Sequence, residues 1–127
     1  MKRIHCFSFS ALLLLSLNPV FAQPRAYATN EGAGTISVID IATDTVASTI
    51  DTGGKPRGMA VCKGSKKLYV TEQTKAQLLV IDPLKGVIEQ RVPLGESPEA
   101  VYCSPNGEWL GVANEGSTAS ASYTPSD

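Results

Sequence analysis

Two charged residues, Arg57 and Glu99, stand 42 positions apart, and each directly follows a proline, Pro56 or Pro98. An arginine and a glutamate at one recurring position offer recognition chemistry. Such a pair can hold an anionic group or a partner, or the two charges can simply offset one another in solvent. They are the binding candidates, and no catalytic set accompanies them. The sole histidine is His5, at the extreme N-terminus. The rest of the chain therefore holds no Ser-His-Asp triad, no histidine-ligated haem and no histidine-containing zinc site. No two carboxylates stand at a spacing that implies joint acid–base work. Cys62 and Cys103, 41 residues apart, lack companions for a metal motif. Two states stay open for them, a disulfide or two separate buried thiols. An offset of one repeat position sends the side chains to opposite sheet faces, which in adjacent blades either face each other or turn away, and separate thiols are the simpler expectation. The sequence thus implies no catalytic residue, no metal site and no cofactor in this chain.

Residues 1–22 read as a cleaved secretory signal. Lys2 and Arg3 precede a short apolar core, Ala11–Leu17, and Val20-Phe21-Ala22 places small or allowed residues at the positions a signal peptidase reads. The apolar run is far shorter than the ~20 residues needed to span a bilayer. Cys6 lies ahead of the apolar core, which argues against a lipoprotein. Cleavage after Ala22 leaves nine basic against twelve acidic side chains, because Lys2 and Arg3 are lost from the eleven basic ones. A chain of that balance, without a basic run carrying interleaved aromatics, favours neither nucleic acid nor an anionic membrane surface. The expectation is a periplasmic or secreted protein without a membrane span.

The elements that must position these residues are repeated. Residues 26–67 lie over 68–109 without a gap: Tyr27 meets Tyr69, Thr29 meets Thr71, Ser37-Val38-Ile39-Asp40 meets Leu79-Val80-Ile81-Asp82, and Pro56 meets Pro98. A period of 42 with strand patterning points to propeller blades. One period carries four short strand signals, Arg57–Cys62, Leu68–Glu72, Leu78–Asp82 and Val87–Leu94, separated by short turns rich in Gly, Pro and Lys. β-Branched content and frequent Gly and Pro disfavour helix. The fold class is all-β, a β-propeller of four-stranded antiparallel blades. Gly32-Ala33-Gly34 resembles a phosphate cradle but has no helix after it, and reads as a hairpin turn. Gly53–Gly58 matches Gly95–Ala100 one period on, and reads as a blade-to-blade connector at a rim of the central channel. Tyr27 and Tyr69 are core positions, and Trp109 either packs on a neighbouring blade or contacts a partner.

The residues "AYATNEGAGTISVIDIATDTVASTI" and "GGKPRGMAVCKGSKKLYVTE" resemble the YVTN family of bacterial β-propeller repeats. The resemblance covers about Arg25–Gly116. "SPEAVYCSPNGEWLGVANE" narrows it toward the periplasmic propellers that accompany PQQ-dependent alcohol catabolism. That likeness implies a non-catalytic binding or scaffold module whose partner is a periplasmic quinoprotein dehydrogenase or cytochrome. Propellers that carry haem d1 or hydrolyse lactones are further relatives, so a propeller enzyme with its site in missing blades is the alternative. An envelope repeat protein is a third. The motif asparagine, present at Asn30 and Asn114, is Glu72 in the middle copy, which reads as drift in a turn that needs only the right backbone.

Complete propellers hold about 4–8 blades. The expected organisation here is a partial first blade at 23–55, a complete second blade at 56–97 and the start of a third at 98–116. The polar run 117–127 reads as a disordered or aberrant tail. The chain thus reads as a truncated fragment of about two and a half blades. Its uncovered blade faces would drive self-association.

Overall fold

The computed structural model describes residues 23–116 and 121–124, so the expected signal segment, 1–22, lies outside the described residues. Among the described residues, ten strands fall into three antiparallel sheets. The first sheet holds β1 (Arg25–Asn30), β2 (Thr35–Asp40) and β3 (Thr45–Asp51). The second holds β4 (Pro56–Val61), β5 (Leu68–Glu72), β6 (Gln77–Asp82) and β7 (Val87–Pro93), in that order across the sheet. The third holds β8 (Pro98–Cys103), β9 (Leu110–Asn114) and β10 (Ala121–Tyr123). No helix among the described residues is long and apolar enough to cross a membrane.

The repeat extends to irregularities. The β2–β3 register shifts at Val38/Ile39, and the β6–β7 register shifts at the matching Val80/Ile81. Asp40 accepts a hydrogen bond from the Ala42 amide (2.8 Å), and Asp82, at the matching position, accepts from those of Leu84 (3.0 Å) and Lys85 (3.1 Å). The shared need of the turn, a carboxylate that closes an Asx-type loop, thus explains why β2 and β6 both end in aspartate.

Both faces of the middle sheet are covered, which is why β5 and β6 are buried at nearly every position rather than alternately. Leu68, Val70, Leu79 and Ile81 pack with Ile36, Val38 and Ile50 of the first sheet. Tyr69, Leu78 and Val80, of opposite parity, pack with Val101, Leu110 and Val112 of the third. The two cores therefore lie between sheets, and each sheet depends on its neighbour to keep water off an apolar face.

Two expectations need correction. The tail is not wholly without structure: Ala121–Tyr123 pairs with β9 as a third strand, Ala121 opposite Val112 and Tyr123 opposite Leu110. Tyr123 stands 42 residues after Ile81, and its ring lies 6.2 Å from that of Tyr69. A polar composition hid this strand because ladder pairing uses backbone groups, and one aromatic residue suffices to seat it on the core. Cys62 and Cys103 are not separate thiols but a disulfide with Cα atoms 5.4 Å apart. The one-position offset does send them to opposite faces. Those are the two faces that meet between the second and third sheets.

Candidate functional site

Arg57 and Glu99 are the second residues of β4 and β8, the first strands of their sheets. The buried prolines Pro56 and Pro98 anchor both strand starts. Gly58 then lets the strands approach: a β-carbon there would stand 2.4 Å from the Glu99 carbonyl oxygen and 2.9 Å from the Ala100 Cα. Thr71 ties the two strands together. Its hydroxyl accepts from the Gly58 amide (2.8 Å) and donates to the Glu99 carbonyl (2.8 Å).

This approach brings the two sequence candidates into contact. Arg57 Nη2 donates to Glu99 Oε2, and Arg57 Nη1 lies 3.0 Å from Glu31 Oε2 at the β1–β2 turn. Gln73, one period after Glu31, donates from Nε2 to Glu99 Oε1 (2.7 Å) and to Ser97 Oγ (2.9 Å). The turn residue of each sheet thus holds the connector residue of the next, Glu31 on Arg57 and Gln73 on Glu99. Hydrogen bonds that Arg57 donates to Glu31 and then to Glu99 raise the guanidinium pKa above its ordinary value. Arg57 stays charged, with both carboxylates as its counter-ions.

Thr29, Glu31, Pro56, Arg57, Gly58, Glu99 and Ala100 line an open cleft of about 430 Å³ here. A second cleft of about 330 Å³ shares Glu31 and is lined also by Asp51, Lys55 and Thr74. Two carboxylates and one guanidinium give the first cleft a formal excess of negative charge. It therefore suits hydrogen-bond donors and cationic groups. Arg57 is committed to its own carboxylates, so the idea that it receives an anion does not fit this geometry. Among the described residues no group of three or more His, Cys, Asp or Glu side chains could hold a metal ion.

Sequence reasoning missed Glu72. It is fully buried, and its carboxylate accepts from the amides of Thr74 (2.6 Å), Lys55 (2.9 Å) and Lys75 (3.1 Å) and from Gln77 Nε2 (2.9 Å). Burial opposes the charge, but these donated bonds outweigh it and hold the carboxyl below its ordinary range. Glu72 is an anchor for the connector, not drift. Its longer side chain reaches the Lys55 amide on the connector, whereas Asn30 donates to Ser37 (2.9 Å) and Thr35 (3.2 Å) of its own sheet. Trp109 is more than half exposed, so it does not pack into a blade interface. Gly34 closes a hairpin turn in the left-handed region (φ 69°), with its amide on the Asn30 carbonyl at 2.9 Å, as expected of a turn rather than a phosphate cradle.

No family model matches the sequence, and no curated protein matches it. Solved structures do. The chain is similar to the Kuenenia stuttgartiensis hydrazine synthase, with a TM-score of 0.64 and 19% identity over 81% of this chain and 33% of that one. It is similar to a putative 6-phosphogluconolactonase from Bacteroides uniformis, with a TM-score of 0.67 and 16% identity over 84% of this chain and 38% of that one. The β-propeller domain of Myceliophteria thermophila Cps50 (Swd1) matches with a TM-score of 0.54 and 14% identity over 77% of this chain and 38% of that one. The chain spans about a third of the length of these structures. At such identities the likeness concerns fold alone, and the fold is all-β and propeller-type.

Proposed function

We propose that this chain is an exported, non-catalytic β-propeller module that binds or scaffolds a partner at the connector rim. The observation that carries the reading is the Glu31–Arg57–Glu99–Gln73 cluster, which draws residues from all three sheets into one open cleft. Glu31 and Glu99 leave the cleft with a formal excess of negative charge over Arg57, which favours a partner that offers cationic or hydrogen-bond-donating groups. The Cys62–Cys103 disulfide supports export, because such bonds persist in oxidising compartments. The resemblance to the YVTN propellers of PQQ-dependent alcohol catabolism supports a quinoprotein dehydrogenase or its cytochrome as the partner. The test is titration of the purified chain against a purified periplasmic quinoprotein alcohol dehydrogenase and its cytochrome, with Arg57→Ala and Glu99→Ala as controls. Saturable binding weakened by both variants supports the reading; binding indifferent to both, or none, overturns it.

A second reading is favoured by coverage. The chain spans 33% of a hydrazine synthase and 38% of a putative lactonase, as one part of a larger enzyme would. Lactone hydrolysis, or a haem or quinone chromophore, in a longer form of the protein would replace the scaffold reading. We further propose that the face of the third sheet on which Tyr102 is largely exposed supports self-association.

A further inference from the structure

The charged cluster at the connector rim leaves one carboxylate oxygen open. Glu99 Oε2 accepts from Arg57 Nη2, and Glu99 Oε1 accepts from Gln73 Nε2 at 2.7 Å. Glu31 Oε2 lies 3.0 Å from Arg57 Nη1. Three of the four oxygens are thus engaged, and Glu31 Oε1 has no partner among the described residues. It also belongs to the more accessible side chain, 43% exposed for Glu31 against 24% for Glu99.

That count bears on which cation the cleft selects. A guanidinium binds a carboxylate best as a planar fork, with two parallel N–H donors on two oxygens. Neither carboxylate has two oxygens to give, because Arg57 of this chain already takes one from each. An ammonium is a compact point charge whose donors need no parallel pair of acceptors, and one free oxygen seats it. It gains from the formal excess of negative charge without displacing Arg57. An exposed ion pair of this kind is worth little by itself. A free amine is therefore held too weakly to matter, and the ammonium must arrive on a polypeptide that also touches the cleft walls, which include Pro56, Gly58 and Ala100.

We propose that the cleft selects a lysine side chain of the partner, seated on Glu31 Oε1, and discriminates against arginine. Arg57 is the positioning residue. It holds Glu31 by Oε2, leaves Oε1 to the incoming ammonium, and occupies the oxygens that a second guanidinium would need. The inference rests on the reading of the cleft as a partner-binding rim and narrows the chemistry of that partner. The preference runs against the usual order, in which arginine is the stronger ligand of carboxylates. A diffuse acidic field without this geometry would not produce it.

The test uses the isotope-labelled full chain and two end-capped peptides, pentalysine and penta-arginine, at one fixed ionic strength. Pentalysine should bind saturably, with amide shifts at Glu31, Arg57 and Gly58, and about threefold or more tighter than penta-arginine. Glu31→Gln should weaken pentalysine by a similar factor and erase the preference. Asp51→Asn removes the same charge from the adjoining cleft and should leave the preference in place. Penta-arginine bound as tightly as pentalysine, equal losses in the two variants, or no saturable shift at Glu31 overturns the proposal. A quinoprotein dehydrogenase or cytochrome that binds at the rim while pentalysine does not would leave the partner reading standing and remove this one. Pentalysine seated on Glu31 with neither protein bound would do the reverse.

Discussion

Gly54 and Glu72 are bound by a steric contract: a β-carbon on Gly54 would stand 2.0 Å from Glu72 Oε1. The carboxylate can reach the Lys55 amide only because residue 54 has no side chain. Gly54→Ala should therefore displace the carboxylate and cost about 2–4 kcal/mol in denaturant unfolding. Because Asn30 and Asn114 serve at the same repeat position, adding Glu72→Asn should recover part of that loss. Additive costs in the double variant would show that the two residues are not coupled.

Acid should act on the same carboxylate. Its folded pKa is depressed below the ordinary value of 4.5, so its contribution is fully present above that value and is lost as pH falls through the folded pKa. Glu72→Gln leaves an amide facing donors, and should destabilise the protein by about 1–3 kcal/mol at neutral pH. The gap between wild type and variant should shrink below pH 4.5. Parallel stability curves from pH 7 down to acid unfolding would refute this account.

Ala76 occupies the place that Gly34 holds one period earlier, and both sit in the left-handed region, at φ 49° and 69°. Alanine pays a β-carbon penalty there that glycine avoids. Ala76→Gly should raise stability by about 0.5–1 kcal/mol after the greater entropy of unfolded glycine is counted against the relief. A lower melting temperature for Ala76→Gly would mean that the turn is not strained.

Much of the fold was legible because the period was legible. Leu68–Glu72 is both an expected strand and β5, and Val87–Leu94 misses β7 by one residue. Alternation and turn residues report backbone path, and a gapless repeat doubles each signal. Arg57 and Glu99 were legible as a recurring position whose charges could offset one another, but not the closeness of their contact, since period alone does not tell how closely adjacent first strands approach. That distance is set by Gly58, whose role appears only when the Glu99 carbonyl is seen beside it. Glu72 escaped for a related reason. A charged residue in a turn ordinarily faces solvent, and only the assembled turn shows three amides converging on it. β10 escaped because its pairing lies in the backbone.

The Cys62–Cys103 link joins the residue after β4 to the last residue of β8 across 41 residues, so its loss should free the third sheet first. Closing a loop of that length in the unfolded chain is worth about 3–4 kcal/mol. Reductant, or Cys62→Ser with Cys103→Ser, should lower stability by about that amount. The double variant should then be indifferent to reductant. Hydrogen exchange should quicken along β8 and β9 more than along β5 and β6, because the middle sheet keeps its cover from the first. Peptide mapping should recover Cys62 and Cys103 in one linked fragment. Two unlinked fragments from non-reduced protein, or a melting transition that reductant leaves unmoved, would remove the disulfide from the account of how the third sheet is held.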